Sequence, residues 1–287
     1  MKMSLLSSVF LMDYPKLEDA IAKTVEIGYD AIDICAWYPH CEPRLLGRKE
    51  RRALRDFIAS CGIKVNQIAT LGDATNGLFP MMDGWVEAQN DRLDFAADIG
   101  ASHLETLPGW NRPDLPRDLT WKWAVESHRK IAKHAEEVGI PLAVEFEPVQ
   151  PTQLFWGLPN PINVTDLKEL RKFLDDVGSD YCQANLDVGH CNIIAKGNPP
   201  SIRKDLLSLK DVIVGTHFND NDGVTDLNRV PGEGTCDFKY YLAFLKEIGY
   251  KGMVGVELEG TIKNSYQKAK ASYSCLKKIL VEMGLAD

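Results

Sequence analysis

One phrase recurs along this chain and restricts its fold more than any other feature. An amphipathic helix ends at a glycine, and a short run of strand-forming residues follows. The closing glycines are Gly28, Gly62, Gly100, Gly139, Gly178 and Gly249. The runs that follow are residues 31–34, 64–68, 103–106, 142–145, 182–186 and 253–258. Glycine enters the left-handed conformation at a helix end without a Cβ clash, so the chain can turn back into a strand. The glycines are 34, 38, 39, 39 and 71 residues apart, the last gap holding two units.

One helix of three or four turns, one strand and two short loops fill roughly 36 residues. A chain of 287 residues therefore holds eight such units. Strand one is read over residues 3–9 and strand seven over 212–217. Helices are read over 17–27, 48–61, 85–99, 119–138, 165–177, 201–209, 238–248 and 264–283. Strands alternating with helices at this period make parallel βαβ units. Eight of them predict an α/β fold, a (β/α)8 TIM barrel, with residues 1–287 as a single domain. The rival, an open doubly wound sheet, calls for a glycine-rich phosphate turn after an early strand, and no G-x-G-x-x-G stands there. The long irregular stretches 71–84, 107–117, 148–163 and 218–236 all follow a strand, where a barrel builds its active site.

The strand ends carry the chemistry. Strand five runs into Glu145 and Glu147, and strand six into Asp187 and His190. Strand seven ends at His217 and strand eight at Glu257 and Glu259. Four neighbouring strands thus place acidic or imidazole groups where apolar residues would be cheaper. An isolated buried carboxylate costs several kcal/mol, on the order of the usual estimates. Glu145, Asp187, His217 and Glu257 converging on one axis would repel one another unless a divalent cation sat among them. Three carboxylates and one imidazole favour Mn²⁺, admit Mg²⁺ or Co²⁺, and suit Zn²⁺ less well.

In combination, Glu145 after Leu142-Ala143-Val144, Asp187-Val188-Gly189-His190, His217, Arg229-Val230-Pro231-Gly232-Glu233-Gly234 and Glu257 resemble the xylose isomerase-like, or sugar phosphate isomerase/epimerase, barrels. Within that family they resemble ketose 3-epimerases of the tagatose/psicose type. The resemblance implies that Glu145 and Glu257 serve as acid and base besides holding the metal. It also implies that His190 and Arg229 contact substrate oxygens. The epimerases of this type carry a further glutamate six residues beyond the first ligand, and this chain has Pro151 there. Glu147, on the same side of its strand as Glu145, is the carboxylate at hand to replace it.

The expected chemistry is proton abstraction next to a carbonyl through a metal-stabilised enediolate. Return of the proton to the other face is epimerisation, and return to the neighbouring carbon is isomerisation. Loss of a hydroxyl makes the enzyme a dehydratase or lyase of a cyclic polyol or keto acid, the alternative reading. An abasic-site endonuclease would need more histidines on the early strands and a basic face. The chain has six histidines and a formal charge of −8, which also argues against nucleic acid and anionic membrane as partners. A barrel that only binds ligand is set against the pair Glu145 and Glu257.

Trp37, Trp110, Phe155 and Trp156, in or near post-strand loops, offer faces for a sugar or serve as packing. Asp73 and Glu105 line the pocket or cap a turn. His40 is a minor substrate-contact candidate. His128 and His134 are read as surface residues, and His103 as lying at the wrong end of its strand. The run 48–52 is read as a solvated helix face. Seven cysteines without a C-x-x-C pair, no signal-like start and no long apolar run predict a cytoplasmic protein with reduced thiols. The expected partner is a small sugar or polyol, and the chain is expected as a homodimer or homotetramer.

Overall fold

The structure, a computed structural model, describes residues 1–70, 79–111, 114–150, 163–258 and 263–286. Its elements run β1 (Met3–Leu6), α1 (Leu17–Ile27), β2 (Ala31–Cys35), α2 (Arg48–Ser60), β3 (Lys64–Ala69) and α3 (Phe79–Ile99). Then come β4 (His103–Thr106), α4 (Arg117–Val138), β5 (Leu142–Val144), α5 (Leu167–Val177), β6 (Cys182–Asp187) and α6 (Val188–Ile194). The chain finishes with α7 (Arg203–Ser208), β7 (Ile213–Phe218), α8 (Phe238–Glu247), β8 (Val254–Val256) and α9 (Ser265–Glu282). Every strand pairs in parallel with the next, and β8 returns to β1, so the sheet closes into an eight-stranded barrel.

The six recurrent glycines have φ between 69° and 110°, the left-handed region that stops each helix. The helical layer is apolar where it meets the barrel, with Phe95, Phe173, Phe244 and Tyr241 fully buried. The barrel interior is more polar. Ser4 Oγ donates to Asp33 at 2.6 Å and Asn66 Nδ2 donates to its other oxygen at 2.8 Å. Burial still holds the Asp33 carboxyl above the usual carboxylate range.

Four sequence expectations need correction. Strand one stops at Leu6, and a 3-10 turn covers Ser7–Phe10, because the Ser7 hydroxyl takes the Cys35 backbone N–H. A seven-residue helix, α6, begins at once after β6, where the sequence reading had none. His128 is fully buried rather than at the surface. Its Nδ1 lies 2.8 Å from the Ala124 carbonyl and its Nε2 3.2 Å from the Thr106 hydroxyl, between Trp85 and Phe173. Burial pushes its pKa down to about 4, so it stays neutral. His134, in contrast, is partly exposed beside Asp94 and Glu137. Arg51 departs from the solvated face of α2 by reaching Pro43 O, Leu46 O and Asp98.

Candidate metal centre

The barrel register sets the site. Asp187 of β6 pairs with His217 of β7, and His217 pairs with Gly255 of β8, two residues before Glu257. Glu145 directly follows β5, its N–H donating to Thr106 O of β4 at 3.0 Å. The result is one group in which Glu145, Asp187, His217 and Glu257 each offer a ligand atom within 4.8 Å of the others. Ligand atoms on opposite sides of an ion bound at about 2.0–2.4 Å lie up to about 4.8 Å apart. His217 Nδ1 lies 2.8 Å from Glu145 Oε2 and 3.3 Å from Glu257 Oε2. It nonetheless makes no well-aligned hydrogen bond. A buried ring nitrogen this close to two carboxylate oxygens suits a cation shared among the three.

The supporting shell holds these groups in place. Asp187 caps α6, its Oδ1 accepting from His190 N at 2.7 Å, while Asn219 Nδ2 donates to Oδ2 at 2.8 Å. Gly189 makes that approach feasible, since a Cβ there would sit 1.8 Å from Asn219 Oδ1. Asn185 donates to Glu145 Oε2. A register shift between Ala184 and Asn185 lies just before this amide, the kind of bulge that re-aims a side chain.

Crowding drives the pKa values of these groups apart. Burial, with Glu145, Glu257 and Asp226 nearby, pushes the Asp187 carboxyl well above its usual range, although His190 opposes the rise. Glu145 is also buried, but His217 and His190 outweigh that cost and hold its carboxyl below the ordinary value. Burial opposes charge on His217 too, yet Glu257 and Glu145 raise its pKa well above the ordinary imidazole value. Glu147 keeps some exposure, but the protein around it still removes enough water to push its carboxyl up to about 8.

The other expected residues fall as follows. Glu147 joins Glu145 and His190 in a second close group. His190 is buried, with Nδ1 2.7 Å from Phe146 O and Nε2 3.2 Å from Asp226 Oδ2, so the protein engages both ring nitrogens. Arg229 is half-buried, and its backbone pairs with Asp220 in both directions. Asp220 organises the Pro-Gly-x-Gly turn, accepting from the N–H groups of Asn221, Gly232, Gly234 and Cys236. Trp37 packs on Leu6, Cys35 and Ala69. Trp110 is 46% exposed. His40 is buried against Ser7 and the Tyr14 carbonyl. Asp73, Pro151, Phe155, Trp156 and Glu259 lie outside the described residues.

Sequence reasoning missed several groups at the site. Gln67 of β3 lies 2.9 Å from His217 Nε2 and donates to Glu105 at 3.2 Å, so Glu105 faces the pocket rather than capping a turn. His103, read as remote, contacts the Gln67 amide at 2.9 Å. Asp226 reaches His190 from the loop after β7. The alternation of β3 and β4 carried a signal for Gln67 and Glu105, but Asp226 sits in a long loop with none.

Barrel and cluster together define an α/β barrel with a candidate cation site at the C-terminal ends of β5 to β8. The model of the xylose isomerase-like TIM barrel family matches residues 21–279, and the chain belongs to that family. Fructoselysine 3-epimerase of Escherichia coli O157:H7 is 24% identical over 255 residues, covering 84% of this chain and 85% of that protein. Among solved structures, a D-tagatose 3-epimerase-like protein superposes with a TM-score of 0.82 at 22% identity, over 99% of this chain and 98% of the other. The IOLI protein with a bound zinc atom gives a TM-score of 0.72 at 21% identity, over 98% and 97%.

Proposed function

We propose that this chain is a divalent-metal-dependent sugar epimerase or isomerase acting on an unphosphorylated ketose or related keto-polyol. The observation that carries the reading is the gathering of Glu145, Asp187, His217 and Glu257 around the unaligned Nδ1 of His217. A divalent cation there, Mn²⁺ by the hardness of the donor set with Mg²⁺ or Co²⁺ as substitutes, supplies Lewis acidity to a carbonyl and its neighbouring hydroxyl. Glu145 and Glu257 come from strands separated by two others, so they take a proton from one face of the adjacent carbon and return it to the other. His190, by exchanging its Asp226 contact, and Arg229 bind substrate oxygens, and Trp37 and Trp110 offer ring faces to the sugar. The 3-epimerase relatives support this reading.

The pocket is rich in acid, with Glu105, Glu147 and Asp226 added to the ligands, and this disfavours a phosphorylated substrate. No helix among the described residues is long and apolar enough to cross a membrane. Seven unpaired cysteines support a cytoplasmic enzyme, and we expect a homodimer or homotetramer.

A second reading rests on Glu147. A further carboxyl beside Glu145 and His190 could protonate a departing hydroxyl, which would make the reaction a dehydration. One experiment tests both: metal analysis of the purified protein, then a panel of ketoses, inososes and keto acids with Mn²⁺ in deuterated water. Deuterium uptake with a change of configuration supports epimerisation, and loss of water supports the second reading. A protein that binds no metal and exchanges no proton sinks both.

A further inference from the structure

Gln67 has no assigned part in the chemistry above, yet it is the partner of the second nitrogen of His217. Its side chain lies inside the barrel among three groups. The amide nitrogen is 2.9 Å from His217 Nε2 and 3.2 Å from Glu105 Oε2, and the amide oxygen is 2.9 Å from His103 Nε2. All four residues are buried. Gly215 leaves room for the arrangement, since a Cβ there would sit 2.6 Å from His103 Nε2.

An imidazole that binds a cation must present a bare nitrogen, and the other nitrogen then carries the hydrogen. Nδ1 is the nitrogen among the carboxylates, so Nε2 must hold the hydrogen and needs an acceptor. An amide serves His217 in either of two senses, because its NH₂ and carbonyl ends are nearly equal in size. With the NH₂ toward Nε2, the hydrogen is forced onto Nδ1 and the ion is barred. With the carbonyl toward Nε2, Nδ1 is left bare, and the NH₂ passes to His103 Nε2. His103 can accept it with its own hydrogen on Nδ1, since burial keeps the ring neutral by pushing its pKa down to about 3. The turned carbonyl also faces Glu105 Oε2, which then carries a proton and donates it.

We propose that Gln67 is a positioning residue for the metal centre. Its carbonyl selects the His217 tautomer that coordinates through Nδ1. This rests on the metal reading above. The consequence is that ion affinity depends on a residue that touches no ion and no substrate. Removing such an outer hydrogen bond typically lowers metal affinity by about 10–100-fold.

The test uses the full chain labelled with ¹⁵N-histidine, with Zn²⁺ alone as a diamagnetic probe, and a separate Mn²⁺ titration followed by electron paramagnetic resonance. In the Zn²⁺-loaded protein, His217 is expected to coordinate through Nδ1, with a hydrogen-bonded proton on Nε2. In Gln67→Leu, whose volume is close to that of the native residue, Mn²⁺ affinity falls about 10–100-fold, and the Nε2 proton loses the downfield shift of a hydrogen bond. Coordination through Nε2 in the wild-type protein overturns the proposal even if the variant does not fold. So does a folded Gln67→Leu with unchanged Mn²⁺ affinity. Failure of the wild-type protein to take up either ion overturns the metal centre itself, a different result from uptake through the wrong nitrogen.

Discussion

The Asp187 carboxylate accepts the backbone N–H of His190 at 2.7 Å, so one side chain both caps α6 and offers a ligand atom to the candidate cation site. The Asp-x-x-His spacing therefore has a physical meaning. Residue N3 of a helix donates to an acidic cap, and the histidine at N3 is carried to the pocket wall with it.

That double duty can be separated. Asparagine caps a helix about as well as aspartate does. In Asp187→Asn, α6 and the thermal transition should be kept, while Mn²⁺ affinity falls by more than about 100-fold. A variant that binds Mn²⁺ as tightly as the native chain would remove Asp187 from the ligand set. Isothermal titration beside circular dichroism measures both.

Glu257→Gln removes a base while leaving a neutral oxygen of the same size. Exchange of the substrate proton with deuterated water is expected to fall about 10²–10⁴-fold. The check is NMR of the best substrate at saturating Mn²⁺. Full turnover in the variant would contradict the acid/base role.

The cation-free protein should lose stability as pH rises. Glu147 titrates near 8 in the folded protein against 4.5 ordinarily, chiefly through burial. A carboxyl raised in this way contributes stability that is fully present below 4.5 and is lost as pH climbs through about 8. Asp187, raised by burial, acts in the same direction. So do His190 and His217, whose neighbouring carboxylates outweigh burial; their contribution is complete below 6.5 and lost above their folded values. Calorimetry with chelator should show Tm falling across this window, and Mn²⁺ should flatten the curve. Glu147→Gln should remove part of the fall between 4.5 and about 8.

His128 gives the opposite sign. Its folded pKa, pushed down to about 4 by burial, makes its contribution present above 6.5 and lost as pH drops through about 4. His128→Ala should cost about 2–4 kcal/mol through the cavity and the broken Thr106 bond. Urea unfolding should show a lower midpoint with an unchanged slope.

Asp226 turns one oxygen to His190, and its Oδ1 has no hydrogen-bond partner among the described residues. Its backbone N–H is held by Gln150 at 2.9 Å. An unused acceptor beside His190 suits a substrate hydroxyl. Asp226→Ala should raise KM about tenfold with little change in kcat or in Mn²⁺ affinity. An unchanged KM in steady-state assays would place Asp226 outside the binding surface.

The eight-fold repeat was legible because it rests on local physics. A glycine at φ between 69° and 110° ends a helix whatever lies beyond it, and apolar runs with carboxylates at their ends mark the strands. Glu145, Asp187, His217 and Glu257 could be picked out for the same reason, since each stands at a strand end where the barrel leaves one direction to point. His103, Asn219 and Asp226 carry no such local mark, and for Gln67 the alternation of β3 gives the face but not the partner. Their positions follow from barrel closure, which sets β3 and β4 across the interior from β7, and from a loop that folds back over α6. The burial of His128 has the same origin. Its place on α4 is readable from the helical period, but whether that face meets solvent or Phe173 depends on how neighbouring helices pack, a long-range contact that no single segment encodes.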